Sequence, residues 1–103
     1  MDRIEKLQQL LADSPGDSFL QHALALEFIK RGEDTVAQNY FEQLLQNNPA
    51  YVGSYYHLAK LQERLGETEA AVATYEKGMA QAKLANDQHA LNELRSAWEE
   101  LTL

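Results

Sequence analysis

The 103-residue chain contains no cysteine, two prolines, five glycines and one tryptophan. The lack of cysteine excludes disulfides, thiol nucleophiles and cysteine-ligated metals, and it fits a reducing compartment. With so few prolines and glycines, long regular elements can run uninterrupted. Cationic residues are scarce too: nine Lys and Arg against sixteen Asp and Glu give a formal net charge of −7. Phosphate-backbone binding needs clustered Lys and Arg, so no nucleic-acid partner is expected. The same charge is repelled by anionic membrane surfaces. It favours solubility and a basic partner. No run approaches the roughly 18 apolar residues that span a bilayer. The N-terminal "MDRIEKLQQLL" alternates charge with Leu and Ile, unlike a signal peptide or an anchor. Together these absences predict a soluble, cytoplasmic protein with no membrane partner.

The composition, 45% hydrophobic and 24% charged, is that of a globular chain. At this length a single domain over residues 1–103 is expected. It buries only about two-thirds of its unfolded surface, so the core must be used efficiently.

The apolar pattern is helical throughout. Ile4, Leu7, Leu10 and Leu11 form one stripe, which "SPGD" at Ser14–Asp17 stops. Asp17 or Ser18 can cap a second helix through a side-chain oxygen. That helix carries Leu20, Leu24, Ala25 and Phe28 and ends at Gly32. A third is predicted from about Thr35 to Gln46 and is broken by "NNP" at Asn47–Pro49. A fourth is predicted from about Tyr51 to Leu65, ending at Gly66. A fifth starts near Thr68 and meets no breaker until "AND" at Ala85–Asp87. A sixth, from about Gln88 to Leu101, has Leu91, Leu94, Trp98 and Leu101 on its stripe. No segment alternates with period two, and no linker is long enough to separate domains.

The helices repeat. Gly32 recurs as Gly66, Leu24 as Leu58, Ala25 as Ala59, Ala37 as Ala71, Phe41 as Tyr75 and Pro15 as Pro49, all at one fixed offset. That offset, about 34 residues across helix, turn and helix, is the period of the tetratricopeptide repeat, and the chain resembles that family at its signature positions. These are Leu24, Ala25, Gly32, Ala37, Phe41 and Pro49, then Leu58, Ala59, Gly66, Ala71 and Tyr75. Three positions depart from the family pattern. The early aromatic of the first helix is Gln21 in one copy and Tyr55 in the other. The late aromatic is Phe28 and then Gln62. Gly78 replaces a small Ala.

The resemblance implies an all-α, right-handed solenoid of antiparallel helix pairs, with about six helices. Its parts are an N-terminal half-repeat at 1–16, repeats at 17–50 and 51–85, and a capping helix at 86–103. Physically, each hairpin has too little core to fold alone, and stacking neighbours buries the faces between them.

In the family, the first helices of successive repeats line a concave groove that takes a peptide or a helix. Removing the core positions leaves Phe19, His22, Leu26, Ile29 and Lys30 on the first such helix. On the next it leaves Gly53, Tyr56, Lys60, Glu63 and Arg64, with His57 beside them. The expected peptide-binding residues are therefore Phe19, His22, Leu26, Ile29, Lys30, Tyr56, His57, Lys60 and Arg64. Phe19, Leu26 and Ile29 are too apolar to leave in water without reason. The alternative for them is burial under the capping helices. Lys30, Lys60 and Arg64 form an expected cationic end for a carboxylate, although cations near helix C-termini are also favoured by the macrodipole. The family's variety that clamps a chaperone's terminal carboxylate uses Asn residues absent here, so that binding is not expected.

No catalytic residue, metal site or cofactor is expected. His22, His57 and His89 lack the three or four convergent ligands that a metal needs. The glycines are single turn residues and build no phosphate loop. No carboxylate pair sits in an apolar setting. Trp98, at helical spacing from Leu91, Leu94 and Leu101, reads as core of the capping helix. The functional expectation is a non-enzymatic module that binds a partner protein. The alternative is a self-associating protein, a possible homodimer, that uses the same apolar stripe.

Overall fold

In the computed structural model, which describes residues 2–103, aspartates ahead of the apolar stripes act as helix caps. Asp2 accepts from the Glu5 N–H at 2.9 Å, Asp17 from the Leu20 N–H at 3.1 Å and Asp87 from the Ala90 N–H at 3.0 Å. Each satisfies a donor that has no partner within the first turn. Six helices follow in order: α1 (Arg3–Asp13), α2 (Ser18–Lys30), α3 (Asp34–Asn47), α4 (Gly53–Arg64), α5 (Thr68–Leu84) and α6 (Gln88–Thr102). No strand occurs among the described residues. The all-α expectation therefore holds, with bounds within two residues of those read from the stripes. The largest shift is at α4, where the Tyr51 and Val52 carbonyls accept from the Ser54 and Tyr55 N–H groups in a turn ahead of the helix.

The chain forms two compact units, one ending at Asn48 and the other running from Pro49 to Leu103. In the first unit, Leu24, Ala25, Ala37, Phe41 and Leu44 are fully buried, and Ile4 and Leu7 seal α1 onto α2. Ala25 and Ala37 let α2 and α3 approach closely, and Phe41 and Leu44 fill the space beside them. Burying each large apolar side chain is worth about 1.5–3 kcal/mol. In the second unit, Ala59, Leu61, Ala71, Tyr75 and Ala82 are fully buried, joined by Leu58, Leu91 and Leu94.

Three turns share one geometry. Gly32 (φ 76°), Gly66 (φ 78°) and Asn86 (φ 57°) take the left-handed conformation. The residue after each donates back across the helix end: Glu33 N–H to the Phe28 carbonyl, Glu67 N–H to that of Gln62 and Asp87 N–H to that of Ala82, all at 2.8–2.9 Å. This closes the last turn of the helix in the Schellman manner.

The departures from the family pattern have physical counterparts. Gln21 Nε2 donates to the Pro15 carbonyl at 3.2 Å, and Tyr55 OH donates to the Pro49 carbonyl at 2.6 Å. Two different side chains thus make the same contact at equivalent places in successive repeats. The Tyr55 ring needs room: a Cβ on Gly78 would lie 2.7 Å from the Tyr55 Cβ and 3.0 Å from Leu94 Cδ1. Finally, Pro49 closes off the chain after α3, whereas its counterpart one repeat later is Lys83. Helix α5 accordingly runs on to 17 residues against 14 in α3.

Candidate docking faces

On the first unit, α2 presents Phe19, His22, Leu26, Ile29 and Lys30. Helix α1 leaves Phe19 66% exposed. The burial alternative is thus overturned for Phe19. Helix α1 is held to α2 by Ile4 and Leu7 and by ion pairs from Arg3 to Glu27 and Arg31 to Asp2, both at 2.8 Å. Leu26 and Ile29 are half-buried. His22 meets the edge of Phe41 at 5.5 Å between ring centroids, and Phe28 stacks on Tyr40 at the same separation. Lys30 lies 3.3 Å from Glu27. Partial desolvation of the Glu27 carboxyl opposes its ionisation, but hydrogen bonds from Arg3 and Lys30 outweigh this and hold its pKa below the ordinary value.

On the second unit, α4 presents Tyr56, His57, Lys60 and Arg64, while the counterpart of Phe19 is the exposed Gly53. The Lys60 ammonium sits 5.6 Å from the Tyr56 ring centroid, within cation–π range, and 3.7 Å from Glu63. Tyr75 OH donates to the Glu63 carboxylate. Burial, reinforced by that carboxylate, raises the Tyr75 pKa and keeps the hydroxyl protonated. Burial also lowers the pKa of His57, with Glu93 pulling the other way. The imidazole is therefore a neutral hydrogen-bonding group at pH 7. His89 lies on exposed surface in α6. Among the described residues no group of three His, Asp or Glu could hold a metal ion, and no helix is long and apolar enough to cross a membrane. Every buried side-chain N or O atom among them has a hydrogen-bond partner.

Trp98 departs from its expected place. Leu91, Leu94 and Ala97 form the buried face of α6, and Trp98 stands half-exposed beside it. Its indole N–H donates to Glu76 at 3.2 Å. Together with Arg95 it faces Glu76, Met79, Ala80, Lys83 and Leu84 of α5 across a concavity of about 660 Å³. The α5 positions fall at i, i+3, i+4, i+7 and i+8, the spacing of one helix face. The sequence signal for this face is a second stripe on α5, beside the buried Ala71, Tyr75, Gly78 and Ala82.

Helix pairs that repeat at a constant offset and turn through left-handed Gly32 and Gly66 define a helical-repeat protein. A family model of the tetratricopeptide repeat matches residues 28–97. The chain belongs to the tetratricopeptide repeat family. It is 33% identical over 102 residues to a TPR repeat-containing protein of Synechococcus elongatus, covering 95% of this chain and 24% of that protein. The chain thus spans about a quarter of that relative's length. The solution structure of a tetratricopeptide repeat domain protein from Salinibacter ruber matches with a TM-score of 0.82 and 41% identity, over 85% of this chain and 89% of that one. The first TPR of Spaghetti (RPAP3), bound to an HSP90 peptide, matches with a TM-score of 0.76 at 21% identity, over 97% and 78% of the two chains. The likeness at that identity is one of fold.

Proposed function

We propose that the chain is a non-enzymatic interaction module that binds a peptide or helix of a partner protein through the exposed faces of α2 and α4. The observation that carries this reading is Phe19, a large apolar side chain 66% exposed beside the half-buried Leu26 and Ile29. On α2 the partner meets an apolar face. On α4 it meets Tyr56, the neutral His57, Lys60 and Arg64, which offer hydrogen bonds and positive charge. Lys30 and Lys60 each already lie near a carboxylate of their own helix, so an incoming anion competes with Glu27 and Glu63. The peptide complex of the Spaghetti repeat supports docking as a use of this fold.

The test starts with affinity capture and mass spectrometry to obtain the partner. Leu26→Glu and Tyr56→Ala should each abolish capture while the helical melt stays intact. Capture that survives both substitutions removes these faces as the site. The exposed phenylalanine also suits a second reading, in which two copies associate through α2. Light scattering that finds a concentration-independent monomer overturns it.

A further inference from the structure

The groove between α5 and α6 carries an inference separate from the α2 and α4 faces. Its apolar lining is Met79, Ala80, Leu84 and Trp98, and Leu84 is 80% exposed. Lys83 and Arg95 also line it; both are exposed, and neither makes an ion pair with another described residue. Glu76, the carboxylate in the lining, is occupied by the Trp98 indole N–H at 3.2 Å. The chain carries 16 acidic residues against 9 basic ones, whereas in this lining Lys83 and Arg95 outnumber the one carboxylate, Glu76, so the groove reverses the general charge locally. The macrodipole accounts for Lys83, in the last turn of α5. It does not account for Arg95, which lies in the middle of α6 (Gln88–Thr102), or for the exposed Leu84. From Glu76 to Leu84 the α5 wall is about 12 Å long, room for about two turns of a helix.

We propose that this groove binds an acidic amphipathic segment of a partner protein. A Leu or Phe of the partner packs between Trp98 and Leu84, and flanking carboxylates pair with Lys83 and with the guanidinium of Arg95, a group suited to two-pronged carboxylate binding. A second copy is the weaker occupant, because two chains of charge −7 repel one another.

Trp98 is the only tryptophan, so its fluorescence reports on the groove directly. The probe is a synthetic peptide, acetyl-DELLDELF-amide, alongside its counterpart with lysine at every acidic position. The acidic peptide should shift Trp98 emission to shorter wavelength, saturably, with the lysine peptide at least roughly tenfold weaker. Lys83→Glu with Arg95→Glu should weaken the acidic peptide by at least about tenfold. Leu84→Glu, at a position too exposed to disturb folding, should do likewise. Phe19→Ala and Tyr56→Ala should leave this response unchanged, which separates it from docking on α2 and α4. The proposal fails if Trp98 does not respond, if both peptides act alike, or if the charge reversals leave binding intact. It also fails if the emission shift appears on raising protein concentration alone, with a doubled mass in light scattering. That result assigns the groove to a second copy.

Discussion

Phe28 stacks on Tyr40 in the first unit; one repeat later, the same two positions hold Gln62 and Thr74, joined by a 2.6 Å hydrogen bond. An aromatic stack and a buried polar pair thus occupy equivalent places between the two helices of a hairpin. The alanines and the left-handed glycine around them are common to both copies. These shared residues set how closely the helices approach and how the chain turns. What fills the gap can change chemistry, provided both partners change together. A lone Gln62 would leave a buried polar group without its donor, whereas the pair satisfies it. Size follows the same logic, since Tyr55 stands over Gly78 in one copy where the other has Gln21 and Leu44.

Three experiments test how the two copies differ. The largest effect is expected from putting the first copy's residue into the second. Gly78→Leu drives a side chain into Tyr55 and Leu94 and should cost about 3 kcal/mol in urea denaturation. Adding Tyr55→Gln should recover at least about 1 kcal/mol, and additive losses would show that the two sizes are not coupled. The next concerns the polar pair. Thr74→Val should cost about 1–2 kcal/mol by stranding the Gln62 carbonyl oxygen. Gln62→Phe with Thr74→Tyr should cost less than the sum of the single changes, measured by a double-mutant cycle. The smallest concerns acid. Backbone capping by the Glu5 N–H, with help from Arg31, lowers the Asp2 pKa, and Glu27 is lowered as well. Carboxyls with depressed values contribute stability above the ordinary carboxylate range and lose it as pH falls through the folded values, below about pH 4. These pairs tether α1 to α2, whereas the Lys60–Glu63 pair lies within one helix. Between pH 7 and pH 3, amide protection relative to the intrinsic exchange rate at each pH should fall in α1 before it does in α4 and α5. The change should be modest, as exposed ion pairs are weak.

The helices and turns are legible in the sequence because Gly32, Gly66, Pro15 and Pro49 punctuate stripes of regular period. A cap at Asp17 or Ser18 follows from their place before such a stripe, and the structure puts Asp17 in that role. Periodicity misplaces Trp98 because it marks the direction of a buried face and not its width. The stripe of Leu91, Leu94, Trp98 and Leu101 is real, but α6 centres its burial on Leu91, Leu94 and Ala97 and leaves the indole at the margin. The α5–α6 groove is hidden for a different reason. It follows from a missing proline, since Lys83 lets α5 continue and carry Leu84 into place. On α2, Phe19 is as exposed as its position off the core stripe implies. The interactions of Lys30 with Glu27 and of Lys60 with Glu63 need only their i, i+3 spacing. The aromatic and carboxylate partners of His22 and Tyr75 depend on how two helices meet, which spacing within one helix does not encode.

The closures after Gly32 and Gly66 also bear on how the chain finds its structure. Phe28 and Tyr40, Gln62 and Thr74, and Glu63 and Tyr75 are each only 12 residues apart. Bringing such partners together closes a short loop, which costs little chain entropy and takes about 10–100 ns for a loop of this size. Each hairpin can therefore test its own core contacts before any distant segment arrives. Contacts this local belong to the fast end of the range of folding rates.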